Sequence, residues 1–196
     1  DPARPPLLLL HGTGGNEDDL LPLGAALSPG SAFVSPRGQV LENGMPRFFR
    51  RHAEGLLDED DLRERAAGLA AFVTAARERH GLAAPVAVGF SNGANIAAAM
   101  LLLHPGTLAG AVLLRAMPPF REVPDADIPG TPVLVLSGTG DPLVPRPLAE
   151  KLVCDLAGAG ARARLEPRRS RARPGGSGAG HGVPHGSGMR VSLRSG

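Results

Sequence analysis

The chain has 196 residues, 42% of them hydrophobic, which is enough for one domain with a full-sized core. Its net charge of +2 hides an asymmetry: residues 161–196 carry eight arginines against the single acid Glu166, or +7, which leaves −5 for residues 1–160. With no Trp, no Tyr and six Phe the chain has few stacking platforms, so no nucleic-acid partner is expected. Its one cysteine, Cys154, excludes an internal disulfide and reads as a buried structural thiol. No apolar run is long enough for stable membrane insertion, and residues 1–4 lack signal-peptide features, so a cytoplasmic location is expected.

Apolar runs alternate with helical segments along the chain, the signature of a mostly parallel sheet with helices on both faces, so the fold class is α/β. Residues 7–10, all leucine, predict a first buried strand. Residues 17–27 predict a helix capped by Asn16 with three acids in its first turn. A short strand at 32–35 leads into residues 36–55, which read as a long irregular loop carrying Arg47-Phe48-Phe49-Arg50-Arg51. From 59 to 80, Leu62, Ala66, Leu69, Val73 and Ala76 recur every three or four residues and predict an amphipathic helix, with Gly81 as its stop. Residues 84–88 predict a strand, and an Ala-rich helix follows and should end near His104-Pro105. Strands at 109–115 and 132–136, a helix at 147–157 and a last strand at 161–166 complete the pattern.

Gly89-Phe90-Ser91-Asn92-Gly93 sits between a predicted strand and a predicted helix, the context in which G-x-S-x-G presents a serine for nucleophilic attack. An ordinary Gly-rich turn is the structural alternative. A serine nucleophile needs an acid, a base and oxyanion donors, and the chain order to seek is Ser, Asp, His. Asp141 follows the strand at 132–136, where functional side chains of an open α/β sheet gather; an Asx turn or a helix cap is its alternative role. His11-Gly12-Thr13-Gly14-Gly15-Asn16 follows the first strand and supplies an oxyanion-type loop, so the amides of Thr13 and Asn92 are the candidate oxyanion hole. His11 precedes the serine and reads as structural. No G-K-[ST] follows these glycines, which argues against nucleotide binding, and no His/Cys/Asp cluster has metal-ligand spacing. Phe48, Phe49 and the stretch from Met117 to Phe120 are candidates for the wall of an apolar acyl pocket; core packing accounts for them equally well.

Taken together, the 9–17 segment, Arg37-Gly38, the 47–51 loop, Gly89–Asn95 and Ser137-Gly-Thr-Gly-Asp141-Pro-Leu-Val-Pro145 resemble the phospholipase/carboxylesterase family of α/β hydrolases over residues 6–166. That family includes small bacterial carboxylesterases, hydroquinone-linked ones among them, and acyl-protein thioesterases. The resemblance implies hydrolysis of a small-molecule carboxylic ester or thioester through an acyl-serine, without cofactor or metal.

Where the family carries a G-H-G-L histidine and a closing helix, residues 167–196 are instead rich in Gly, Ser, Pro and Arg, 22 of 30 positions. The domain is therefore 1–166, and 167–196 is a tail, disordered or read out of frame. Back-translation of 167–174 one base later permits Gly-Gly-His-Gly-Leu, with the histidine codon straddling Ser170 and Arg171. If the tail is genuine, His181 is the best base and His185 the second, while His52, His80 and His104 read as loop and helix-end residues. A chain without a competent base would be an impaired hydrolase relic or binding module, and a sheet face lacking its closing helix is expected to favour a homodimer.

Overall fold

A computed structural model describes residues 4–139 and 141–169 of the chain. Residues 170–196 of the expected tail, with His181 and His185, lie outside the described residues, whereas 167–169 continue the last strand. Strand β1 (Leu7–Leu10) has every side chain buried, because its alternate leucines face two different cores. Leu8 and Leu10 join the larger cluster, and Leu7 and Leu9 pack with Phe33 and Val88 on the other face. The elements then run α1 (Leu21–Leu27), β2 (Phe33–Val34), β3 (Val40–Glu42), β4 (Met45–Arg47), β5 (Arg51–Ala53), β6 (Leu56–Leu57), α2 (Glu59–His80), β7 (Val86–Phe90), α3 (Asn92–Leu103), β8 (Gly110–Leu114), β9 (Pro132–Thr139), α4 (Arg146–Gly158) and β10 (Arg162–Arg169).

Six of these strands form one parallel sheet in the order β10-β9-β8-β7-β1-β2. The C-terminal ends of β7, β8 and β9 therefore lie side by side at one edge. Helices α2, α3 and α4 cover one face, through Leu62, Val73, Ile96, Met100, Leu152 and Leu156. On the other face α1 covers the β1 half. Val112, Leu114, Leu134 and Leu136, which point the same way from β8 and β9, are only half-buried among the described residues. No helix of the described residues is long and apolar enough to cross a membrane.

Helix α2 has the predicted limits, and its ends show why. The Asp58 side chain accepts from the Asp61 amide at 3.1 Å, acids fill the first turn, and Gly81 closes the helix at φ 62°. All five apolar positions read from its spacing are buried.

Three expectations need correction. The helix expected over 17–27 begins only at Leu21, because the Asn16 side chain accepts from the Asp18 amide at 2.8 Å and closes a local turn, and Pro22 then starts the helix. The loop expected over 36–55 holds the β3–β4 hairpin and the first strand of a second hairpin, β5–β6, which ends at Leu57. Asn43 and Gly44 (φ 51° and 79°) make the tight turn between β3 and β4, a pairing that Asn-Gly favours. Cys154 is exposed: the buried stripe of α4 is Ala149, Leu152 and Leu156, and Cys154 lies off it.

Two glycine substitutions should act in opposite directions in urea denaturation. A Cβ on Gly93 would overlap the Leu10 and His11 carbonyls, so Gly93→Ala is expected to cost about 2–3 kcal/mol. Gly68, exposed in mid-α2, has open space around it, so Gly68→Ala is expected to add about 0.5–1 kcal/mol.

Candidate active site

Ser91 stands between β7 and α3 with φ 52° and ψ −113°, a conformation that side-chain-bearing residues rarely adopt. Its amide donates to the Leu114 carbonyl at 2.8 Å, tying it to the end of β8. Strand and helix close tightly around it. A Cβ on Gly89 would lie 2.6 Å from the Gly93 carbonyl oxygen and 2.7 Å from the Ala94 backbone. Asn92 opens α3, so its amide has no carbonyl within the helix to bond. Ser91, Asn92, Thr13, Asn95, Arg115 and Met117 line one polar cleft at the sheet edge.

The loop at 47–51 is built onto this turn. The Asn92 side chain accepts from the Phe48 amide at 2.7 Å and donates to the Phe49 carbonyl at 3.4 Å. Arg47, only 3% exposed, donates to that same carbonyl, to Glu42 and to the Thr13 hydroxyl at 2.9 Å. Arg47 thus links the glycine-rich loop after β1 to the first turn of α3. On the far side the buried Asp61 carboxylate accepts from the Arg50 amide at 2.6 Å and from Arg65, fastening the loop to α2.

His11 is structural in geometry. It is buried against Phe48, ring centroids 4.8 Å apart, and both nitrogens are engaged, Nδ1 with the Gly12 carbonyl and Nε2 with the Gly38 amide. Since Gly38 N–H donates to Nε2, the proton sits on Nδ1 and the ring is neutral. Burial holds its pKa below the ordinary value, against the Gly12 carbonyl, which favours the charged form.

Asp141 and Arg115 complete the edge. Arg115 follows β8 at φ 58°, its amide donating to the Leu136 carbonyl at 2.9 Å. Its guanidinium meets Asp141 with two prongs, Nε to Oδ2 at 2.5 Å and Nη2 to Oδ1 at 2.9 Å. Asp141 Oδ1 also accepts from the Leu143 and Val144 amides, so the Asx-turn contacts and the ion pair coexist. Burial alone would raise the Asp141 pKa, but Arg115 and the two amides outweigh it and hold the carboxyl below its usual range.

Of the residues singled out from sequence, Ser91, Thr13, Asn92 and Met117 share the cleft, and Asp141 joins it through Arg115, Leu143 and Val144. Phe48 and Phe49 lie in the core, 5% and 0% exposed, and neither lines that cleft. His181 lies outside the described residues, and none of the four described histidines lines the cleft. Arg115 and Asn95 were not singled out. The one signal for Arg115 was a lone charge closing the apolar run Ala111-Val112-Leu113-Leu114.

Comparison with known proteins is consistent along the chain. The sequence pattern of the alpha/beta hydrolase fold matches residues 49–130. The protein named "Putative hydrolase MhqD" from Bacillus subtilis (strain 168) is 47% identical over 161 residues, 81% of this chain and 80% of that one. The crystal structure of the Bacillus cereus carboxylesterase superposes with a TM-score of 0.84 at 44% identity, covering 87% of this chain and 81% of that one. A carboxylesterase from Mesorhizobium loti gives 0.81 at 34% identity, over 85% and 80% of the two chains.

His11 generates a pH prediction. Its folded pKa lies below the unfolded value near 6.5, so the unfolded chain takes up the proton first and stability contributed by the neutral ring is lost as pH falls below that value. Urea midpoints are expected to drop between pH 7.5 and 5.5, and to drop less in His11→Gln.

Proposed function

Because the chain belongs to the carboxylesterase family of α/β hydrolases, we propose that it is a serine hydrolase that cleaves carboxylic esters, thioesters included, through an acyl-serine. The observation that carries this reading is the backbone of Ser91: a serine held at φ 52° between a strand end and a helix start, with an ionised aspartate just after the next strand but one. Strands β7 and β9 are two spacings apart, about 10 Å, a gap that one imidazole between serine and aspartate can bridge.

A histidine base takes the Ser91 hydroxyl proton as Oγ attacks the ester carbonyl. The oxygen that becomes negative is held by the amides of Thr13 and Asn92, the latter aided by the positive end of α3. Collapse of the tetrahedral adduct breaks the carbonyl–alkoxy bond, and the alcohol leaves with the proton from the imidazolium. Water, deprotonated by the same base, then releases the acid and restores Ser91. Asp141 orients the imidazole and stabilises its charged form. The base assigned is His181, from the tail. For the acyl group, a cavity of about 200 Å³ lined by Leu56, Pro118 and Phe120 shares Gly55, Leu57 and Met117 with the cleft. Side chains and water suffice for this chemistry, with no cofactor or metal.

A second reading is favoured by one observation. The Asp141 carboxylate already pairs with Arg115, and no described histidine lines the cleft, as expected of a hydrolase fold with impaired catalysis. Fluorophosphonate labelling separates the two. The serine hydrolase reading expects covalent labelling at Ser91, p-nitrophenyl butyrate turnover, and loss of both in Ser91→Ala, turnover falling by about 10⁴-fold or more. Equal turnover by the two proteins and no labelling would favour the impaired scaffold.

A further inference from the structure

We propose that Arg115 is a positioning residue for this reaction: its two-pronged grip fixes the rotation of the Asp141 carboxylate and, among the described residues, leaves an acceptor direction open at Oδ2. The inference rests on the serine hydrolase reading and adds a residue to it. The two oxygens of Asp141 are unequally occupied. Oδ1 accepts three bonds, from Arg115 Nη2 and the amides of Leu143 and Val144, whereas Oδ2 accepts one, from Arg115 Nε, among the described residues. A carboxylate oxygen accommodates about two acceptor directions, so Oδ1 is filled and Oδ2 retains one.

The placement of Arg115 is itself specific. Its backbone sits at φ 58°, in the left-handed region that a long side chain rarely occupies, and the Leu136 carbonyl holds it there. Because β8 lies between β7 and β9, residue 115 stands at the strand ends between positions 91 and 141, and its guanidinium reaches Asp141. Arg115 lines the cleft, so a base entering it meets the guanidinium and the carboxylate together. Among the described residues, the Leu143 and Val144 amides bear on Asp141 and Glu54 from the β5–β6 turn acts on Arg115, while Arg47 and Arg51 line the same cleft. The depressed Asp141 pKa agrees with the grip, because two-pronged guanidinium pairing favours the ionised form.

The test compares the full chain with Arg115→Met and Arg115→Lys by the rate of fluorophosphonate labelling across pH 5–9 and by carbon-13 titration of the Asp141 carboxyl. Thermal unfolding serves as the check that each variant is folded. Arg115→Met is expected to slow labelling at neutral pH by about tenfold or more, to raise the Asp141 titration, and to move the acid-side loss of labelling to higher pH. Arg115→Lys, which keeps the charge but not the fork, should recover the titration more fully than the rate. Slow labelling that follows thermal stability and not the Asp141 titration would reduce Arg115 to a packing residue and overturn the inference. Wild-type labelling matched by both variants at every pH would overturn the inference alone. Absence of labelling in the wild-type chain would overturn the serine hydrolase reading, and the positioning role with it.

Discussion

The arrangement of the cleft depends on one backbone constraint: between Phe90 and Asn92 the chain must change from extended to helical within a single residue. Ser91 absorbs that change at φ 52°, and the cost of such a conformation, on the order of 1–3 kcal/mol, has to be met by neighbouring contacts. They are visible on both sides. The Leu114 carbonyl takes the Ser91 amide, and the Ser91 carbonyl takes the Asn95 amide at 2.9 Å, so the strained residue is bonded forward and sideways. Gly89 and Gly93 then allow β7, β1 and α3 to approach within distances that no Cβ would permit.

Much of the polar chemistry around the cleft supports this turn. Asn92 uses its side chain to carry the 47–51 loop, Arg47 spends its donors on Thr13, Glu42 and the Phe49 carbonyl, and His11 holds Gly38 through Nε2. Each is a buried or half-buried polar group whose bonding partners come from a different element. Removing one leaves the other unsatisfied in a low-dielectric setting, which costs about 1–3 kcal/mol per group. The Arg47-Phe48-Phe49-Arg50-Arg51 segment is therefore best understood as a clasp. Its two phenylalanines fill the core while its arginines and amides tie three elements together.

How far the fold could be read from the residues depended on whether local signals agreed with tertiary demands. Residues 59–80 were legible in full because the apolar spacing and the Gly81 stop indicate the same helix, with which the Asp58 cap seen in the structure agrees. The parallel sheet followed from the continuous apolar runs, which belong to strands meant to be buried on both faces. The 36–55 segment was misjudged although Asn43-Gly44 is a strong hairpin signal, because each hairpin strand has only two or three residues and shows no alternation. Phe48, Phe49 and Cys154 show the limit of composition. An aromatic beside a site and a thiol in a helix look the same whether they face the core, a ligand or water. The positions of Ser91 and Asp141 just after β7 and β9 were legible because a positional rule singles out residues at strand ends. Arg115 was not, since nothing in one sequence reveals which carboxylate an arginine will meet.

The uneven cover of the sheet has a consequence for how the cleft holds together. Ser91 rises from the half of the molecule where β1 and β7 are packed on both faces, by α1 on one side and α2 with α3 on the other. Asp141 rises from β9, whose Leu134 and Leu136 are only partly shielded among the described residues, and which has β10 as its outer neighbour. Opening free energies within a protein follow local burial, so these two halves need not open together. Among the described residues the aspartate side is the less covered of the two. The geometry between the two residues would then be the first thing lost on mild heating, through excursions of β9, α4 and β10, while the serine turn and the core beneath it stay closed.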